Sequence, residues 1–324
     1  MTSPTLFTST FSLNRFAPAL CSTLLAAGLT LAPMAAQAQA QDEATQVNFV
    51  VPPWPGVTVK TEIVAQILER LGYQANRLDL SSTVGYSTLT SGDSDVFLGG
   101  WLPSQQNIYD AAMESDAIVD LGNNVEGARM GFAVPGYVYD AGITSATQLD
   151  EPENRERFGA EFYSIESGST VGEAIHAAAD ADVHGLGDWK IRESSTAGML
   201  AEVDAAYRDQ RWIVFYGWTP HWMAPEYDMA ILDDPANVYG KEGGKSDIRT
   251  IVRREFSEAN PNLMRFFDQL VFSAEEQSQF IDEFSQQRKD LEEVAEQWIN
   301  ANPERVATFL EGVTTRDGEP ASLE

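Results

Sequence analysis

Residues 211–223 read RWIVFYGWTPHWM, with three tryptophans, a phenylalanine, a tyrosine and a histidine gathered around one apolar run. Residues 212–216 predict a short buried strand, because an unbroken run of aromatic and β-branched residues suits a strand covered on both faces. Gly217 is expected to break it, leaving Trp218 on an irregular loop at the strand's end, with Pro220 and His221 just beyond. Trp212 and Phe215 belong to the core by this reading. Trp218 differs, because the glycine before it and Thr-Pro after it hold a large indole where parallel α/β sheets open their ligand crevice.

Two more tryptophans occupy comparable positions. Residues 46–51 predict a first strand, and Pro52-Pro53-Trp54-Pro55-Gly56 leaves it as a rigid loop. Ile63, Val64, Ile67, Leu68 and Leu71 then recur at helical spacing until Gly72 stops them. A second strand is expected near 76–80 and a short one at 95–98, with Gly99-Gly100-Trp101-Leu102-Pro103 as the turn after it. Trp54, Trp101 and Trp218 thus share the carboxyl edges of strands, and the strand–loop–helix order predicts a parallel α/β layer.

A fresh apolar strand is expected at 127–135 and another at 161–165. Glu166-Ser167-Gly168-Ser169-Thr170-Val171-Gly172 opens a helix whose Ser and Thr suit capping. Its free N–H groups and positive dipole end suit an anionic group, or simply a well-capped helix. A helix at 196–207 leads into the aromatic strand. Beyond Pro225 come a strand at 229–232, a Gly- and Lys-rich loop at 240–245 and then helices to the end. Phe256, Leu263, Phe266, Phe267, Leu270, Phe272, Phe280, Ile281, Phe284, Leu291, Val294 and Trp298 are their expected buried positions.

The 324 residues have room for two domains that each bury a core. A formal charge of −28, without any basic patch, argues against nucleic acid and anionic membrane as partners. Residues 1–40 contain no acid and only Arg15 as a base, and a mostly apolar stretch ends in Ala35-Ala36-Gln37-Ala38-Gln39-Ala40. That is the pattern of a secretory signal peptide cleaved after Ala38 or Ala40, which predicts a periplasmic protein. The single cysteine, Cys21, falls inside it, so disulfides and thiolate chemistry are not expected of the mature chain.

No catalytic constellation emerges. His176, His184 and His221 lie far apart without cysteine partners, so no metal site is expected. Residues 168–172 imitate a nucleophile elbow with Thr170 at the centre, and Gly244-Lys245-Ser246 imitates the end of a P-loop whose first glycine is missing. Neither works, which favours binding over turnover and implies no cofactor. An aromatic cluster without catalytic groups suits a cation that lacks strong hydrogen-bond donors, since an indole face contributes ~2 kcal/mol to a desolvated ammonium.

The chain resembles the periplasmic substrate-binding proteins of ABC importers for glycine betaine, choline and related compounds. The resemblance spans residues 47–313 and is carried by VGYSTLTSGDSDVFLGGWLPS (84–104), ESGSTVGEAI (166–175) and FYGWTPHWM (215–223). It implies an α/β, two-lobed periplasmic-binding-protein fold, type II-like, each lobe a mixed sheet flanked by helices, with the ligand in the cleft between lobes. Residues 41–128 and 226–324 would form the first lobe and 129–225 the second. It also implies an aromatic box of Trp54, Trp101 and Trp218, and a permease in the inner membrane as partner. Choline-binding relatives carry an aspartate two residues after the first tryptophan, where this chain has Gly56, and a tyrosine near Met130. The fourth wall is therefore open between Tyr137, Phe132 and Trp222, with Met130 itself expected at the ligand. Loss of the acid favours a zwitterion, glycine betaine first, whose carboxylate would meet His221, the backbone and hydroxyls of Ser167 to Thr170 (Gly168 and Ser169 among them) or Arg129. Choline, carnitine, proline betaine, trimethylamine N-oxide and dimethylsulfoniopropionate remain alternatives.

Overall fold

A computed structural model of the chain describes residues 46–323. The expected signal peptide and its cleavage positions lie outside the described residues. Strand β1 (Gln46–Val51) forms as expected, and Pro55 starts the next helix, Pro55–Arg70, where a fixed φ and a missing N–H suit the first turn. That helix buries Val57, Ile63, Val64, Ile67 and Leu68 against the sheet. β1 pairs in parallel with β2 (Gln74–Asp79) on one side and β3 (Val96–Leu102) on the other. Residues 82–91 form a helix between β2 and β3, capped by Ser81 Oγ and closed at Gly92 in the left-handed region, φ 92°.

The long strand β4 (Ile118–Val134) changes partners along its length. From Ile118 to Arg129 it runs antiparallel to β9 (Lys245–Arg253). From Arg129 to Ala133 it runs antiparallel to β7 (Val214–Thr219), and β8 (Ala230–Ile231) pairs with its last residues. Beyond β7 lie β5 (Glu161–Ser164) and β6 (Lys190–Glu193), parallel to one another. The order is β2-β1-β3-β9-β4-β7-β5-β6, two parallel triplets joined by one antiparallel pair. Each triplet with its helices makes one lobe.

Several boundaries differ from the sequence reading, for identifiable reasons. β3 continues through Gly99 and Gly100, with a register shift against β9 between Phe97 and Gly100, and Gly100 lies against β9, where a Cβ would stand 3.0 Å from Ile251 Cγ1. Gly217 likewise does not break β7. It pairs with Gly131, and a Cβ there would meet Ala133 Cβ at 2.4 Å and Met229 Sδ at 2.7 Å, so close packing demands the glycine. Trp218 therefore stands on a strand and not on a loop.

The stretch after 226, expected in the first lobe, packs against residues of β4, β7 and the helices around them as far as Tyr239. Tyr227 packs 5.8 Å from Trp222 and 5.3 Å from Tyr207, His184 Nε2 meets Asp234 Oδ1 at 2.7 Å, and Tyr239 lies 5.2 Å from both Phe132 and Tyr216. Only β9 carries the chain back, with Lys245 opposite Arg129. This strand was hidden by its charges. Ser246, Ile248, Thr250 and Val252 face inward, while Arg249 pairs with Asp120 at 2.9 Å and Arg253 with Asp95 at 2.6 Å.

The C-terminal helices bury Phe256, Leu263, Phe266, Phe267, Leu270, Phe272, Phe280, Ile281, Val294 and Trp298, with Phe284 and Leu291 half-buried. Phe272 is their hub, its ring 5.3 Å from Trp298 and 5.3 Å from Phe309. Trp298→Ala is expected to lower stability by about 3–5 kcal/mol through the cavity it leaves. A urea melt with an unchanged slope and an earlier midpoint would show this.

Candidate functional site

Trp54, Trp101 and Trp218 stand at the carboxyl ends of β1, β3 and β7 and line one cavity of about 570 Å³, its open mouth included. Trp54 is extended (φ −112°, ψ 123°) between Pro53 and Pro55, so its chain entropy is largely removed before any ligand arrives. Trp101 and Trp218 are each the last residue but one of their strands, and cis Leu102–Pro103 and Thr219–Pro220 bonds follow them. Tyr216, two residues before Trp218 and therefore on the same face of β7, stacks on that indole at 5.3 Å and 30°. It supplies the fourth aromatic group of the cavity.

The second lobe closes one side with the start of helix Thr170–Asp180. Ser169 Oγ accepts from the Gly172 N–H at 3.1 Å, and Ser169, Thr170 and Val171 line the cavity. Across the cleft, Trp54 Nε1–H donates to Glu166 Oε1 at 2.6 Å. The other oxygen, Glu166 Oε2, is buried without a hydrogen-bond partner.

Lys60 also lines the cavity. It lies one turn into helix Pro55–Arg70 and is 1% exposed. Its Nζ donates to Asn124 Oδ1 at 2.5 Å and, at 3.5 Å, to Gln277 Oε1. Asn124 is oriented for this by donating its own amide hydrogens to Leu98 O and Thr250 Oγ1, both at 3.1 Å. Burial with only amide oxygens in reach lowers the ammonium from its ordinary 10.5 to about 7.

Of the residues expected at a site, the structure brings Trp54, Trp101, Trp218 and Ser169 to this cavity. Gly168 sits beside it on the exposed turn, at φ 80°. His221 is 1% exposed and packed behind Trp218, 4.9 Å away, with Trp222 5.2 Å beyond. Its Nδ1 accepts from the Met223 N–H, so the proton belongs on Nε2, and burial lowers its pKa to about 3. Met130 lies behind Tyr216, its Sδ 3.4 Å from the tyrosine hydroxyl. Arg129 is exposed and donates to the Gly243 carbonyl. Tyr137 donates to Arg211 O, and Phe132 packs on Phe162 at 5.4 Å; neither reaches the cavity, nor does Trp222.

Tyr216, Lys60, Gln105 and Gln277 line the cavity without having been expected there. Lys60 had a signal. Val57, Lys60, Val64, Ile67 and Leu71 recur at spacings of three and four, so a lysine occupies the buried stripe of an otherwise apolar face. Tyr216 had one as well, since its period of two with Trp218 puts both on one side of the strand.

Several known proteins resemble this chain in sequence and fold. Residues 45–301 match the family described as the substrate binding domain of ABC-type glycine betaine transport system. The chain is 40% identical over 136 residues to the glycine betaine/carnitine transport binding protein GbuC of Listeria monocytogenes, a match covering 42% of this chain and 44% of that one, less than half its length. Among solved structures, an ABC-transporter choline binding protein in complex with choline superimposes with a TM-score of 0.82 at 28% identity, over 86% of this chain and 96% of that one. Lactococcal OpuAC, closed on glycine betaine, gives 0.72 at 26% identity, over 82% and 99%. These likenesses carry the two-lobed α/β periplasmic-binding-protein fold.

The buried ammonium has a measurable effect on folding. Between about 7 and 10.5 the folded chain binds fewer protons at Lys60 than the unfolded chain, so this residue makes stability rise with pH across that window. Lys60→Met, close in volume and uncharged, is expected to raise the melting temperature of the ligand-free protein near pH 7. It should also flatten the Lys60 part of the rise toward about pH 10. Thermal melts of both proteins at the two pH values check this.

Proposed function

The chain belongs to the family of substrate-binding domains of ABC-type glycine betaine transport systems, and from that premise we propose that it captures a small methylated ammonium compound outside the cytoplasm and delivers it to an ABC importer. Family members are non-catalytic solute-binding proteins. Glycine betaine is the ligand we assign first. The observation that carries the reading is the convergence of three indoles, from the ends of three different strands, on one cavity beside a fourth aromatic ring. Such walls attract a quaternary ammonium by their electron-rich faces, and the attraction grows as water leaves. Trp54 and Trp101 belong to the first lobe, Trp218 and Tyr216 to the second, so the cation loses its water only when both lobes meet around it.

The signal-like segment at residues 1–40 supports export to the periplasm, where a permease in the inner membrane would receive the loaded protein. Trp101→Ala and Trp218→Ala are each expected to weaken glycine betaine binding about 30-fold, the equivalent of one ~2 kcal/mol cation–π contact. Trp54→Ala should weaken it further, because it also removes the partner of Glu166 Oε1. Isothermal titration of the purified variants reads these changes, and unaltered binding by all three ends the aromatic-box assignment.

A further inference from the structure

Among the described residues, the charged side chains buried most fully are Lys60, Glu62 and Asp95. Glu62 is paired with Arg77 at 2.9 Å and Asp95 with Arg253 at 2.6 Å. Lys60 has no carboxylate; its partners are the two amide oxygens of Asn124 and Gln277. An uncompensated charge in the interior is unfavourable, and an anion brought within reach of it would relieve that cost. Lys60 is also the one of the three that lines the aromatic cavity.

The local sequence keeps that ammonium unpaired. Gly56 lies one turn before Lys60, four residues earlier, where a carboxylate would be within reach of it along the helix. A Cβ at 56 would stand 3.0 Å from Gln277 Nε2, so the glycine also leaves room for the amide that Lys60 touches. The opposite charge lies across the cleft. Glu166 holds Trp54 with one oxygen and leaves the other buried and unpartnered. An ammonium on the cavity floor and a carboxylate behind one aromatic wall give the cavity two electrical poles.

We propose that Lys60 receives the anionic oxygen of the ligand, which makes this cavity a site for methylated onium carboxylates and sets it against bare cations such as choline. The inference rests on the aromatic-box reading and deepens it. The onium group packs among Trp54, Trp101, Trp218 and Tyr216, and the carboxylate points to Lys60 Nζ between Asn124 and Gln277. His221 and Arg129 are not part of this pole, since neither lines the cavity.

The test is titration calorimetry of wild-type protein, Lys60→Met and Lys60→Arg with glycine betaine and with choline, each variant first compared with wild type by circular dichroism. Wild type is expected to bind glycine betaine at least tenfold more tightly than choline. Lys60→Met should lose about 100-fold for glycine betaine and stay within threefold for choline, as removal of one buried charged partner predicts. Lys60→Arg, which keeps the charge, should retain the preference for glycine betaine. Equal losses for both ligands in Lys60→Met, or none for glycine betaine, overturn the assignment. Wild type that binds choline as tightly as glycine betaine overturns it too while leaving the box intact. Wild type that binds neither overturns the box and this inference together.

Discussion

The antiparallel ladder between β4 and β9 sets the positions of the cavity walls. Trp101 pairs with Ile248 on β9, and Trp218 pairs with Met130 on β4, so backbone hydrogen bonds fix where two of the indoles begin. Asn124, also on β4, turns its oxygen toward Lys60 because Leu98 O and Thr250 take its amide hydrogens. The third indole is held differently. Trp54 leaves β1 and is tied to the second lobe by its bond to Glu166. Any rotation of one parallel triplet against the other would have to pass through β4 and β9, the strands that join them, and would part Trp54 from Glu166.

The charge of the chain is distributed by the same economy. Among the described residues most acidic side chains are exposed, and a surface charge is screened within about 8 Å in physiological salt. Inside the sheet, carboxylates are matched by guanidinium groups: Arg249 meets both oxygens of Asp120, at 3.1 and 2.9 Å, and Arg253 meets Asp95. These pairs tie β9 to β4 and β3, so the returning strand is held by charge as well as by its ladder. Against that pattern, Lys60 and the free oxygen of Glu166 stand out, and both belong to the cavity or its wall.

Much of the architecture was legible because burial dictates period. The apolar runs of β1 and β7 and the helical stripe from Ile63 to Leu71 could be read directly, as could the strand-end positions of Trp54, Trp101 and Trp218. β9 was not, because KSDIRTIVR looks solvated until Asp95 and Asp120 are known to face it. Gly99, Gly100 and Gly217 looked like turn residues, since sequence alone does not distinguish a glycine needed for φ > 0 from one needed for close approach. Lys60 was missed for a related reason: a lysine on a helix is usually solvated, so its place on the buried stripe is a weak signal until the packing of Asn124 and Gln277 encloses it.

An indole face does not distinguish one trimethylammonium group from another, so the aromatic box alone leaves glycine betaine and choline nearly equivalent. Discrimination has to come from the other end of the ligand, where one carries a carboxylate and the other a hydroxyl. An ammonium exposed to water would serve poorly, because its hydration would have to be stripped at each binding event. Enclosed by Asn124 and Gln277, Lys60 has already lost that water when the chain folded, and the penalty is carried by the stability of the ligand-free protein. On the proposal made for Lys60, the same buried charge that destabilises the fold would make the cavity selective.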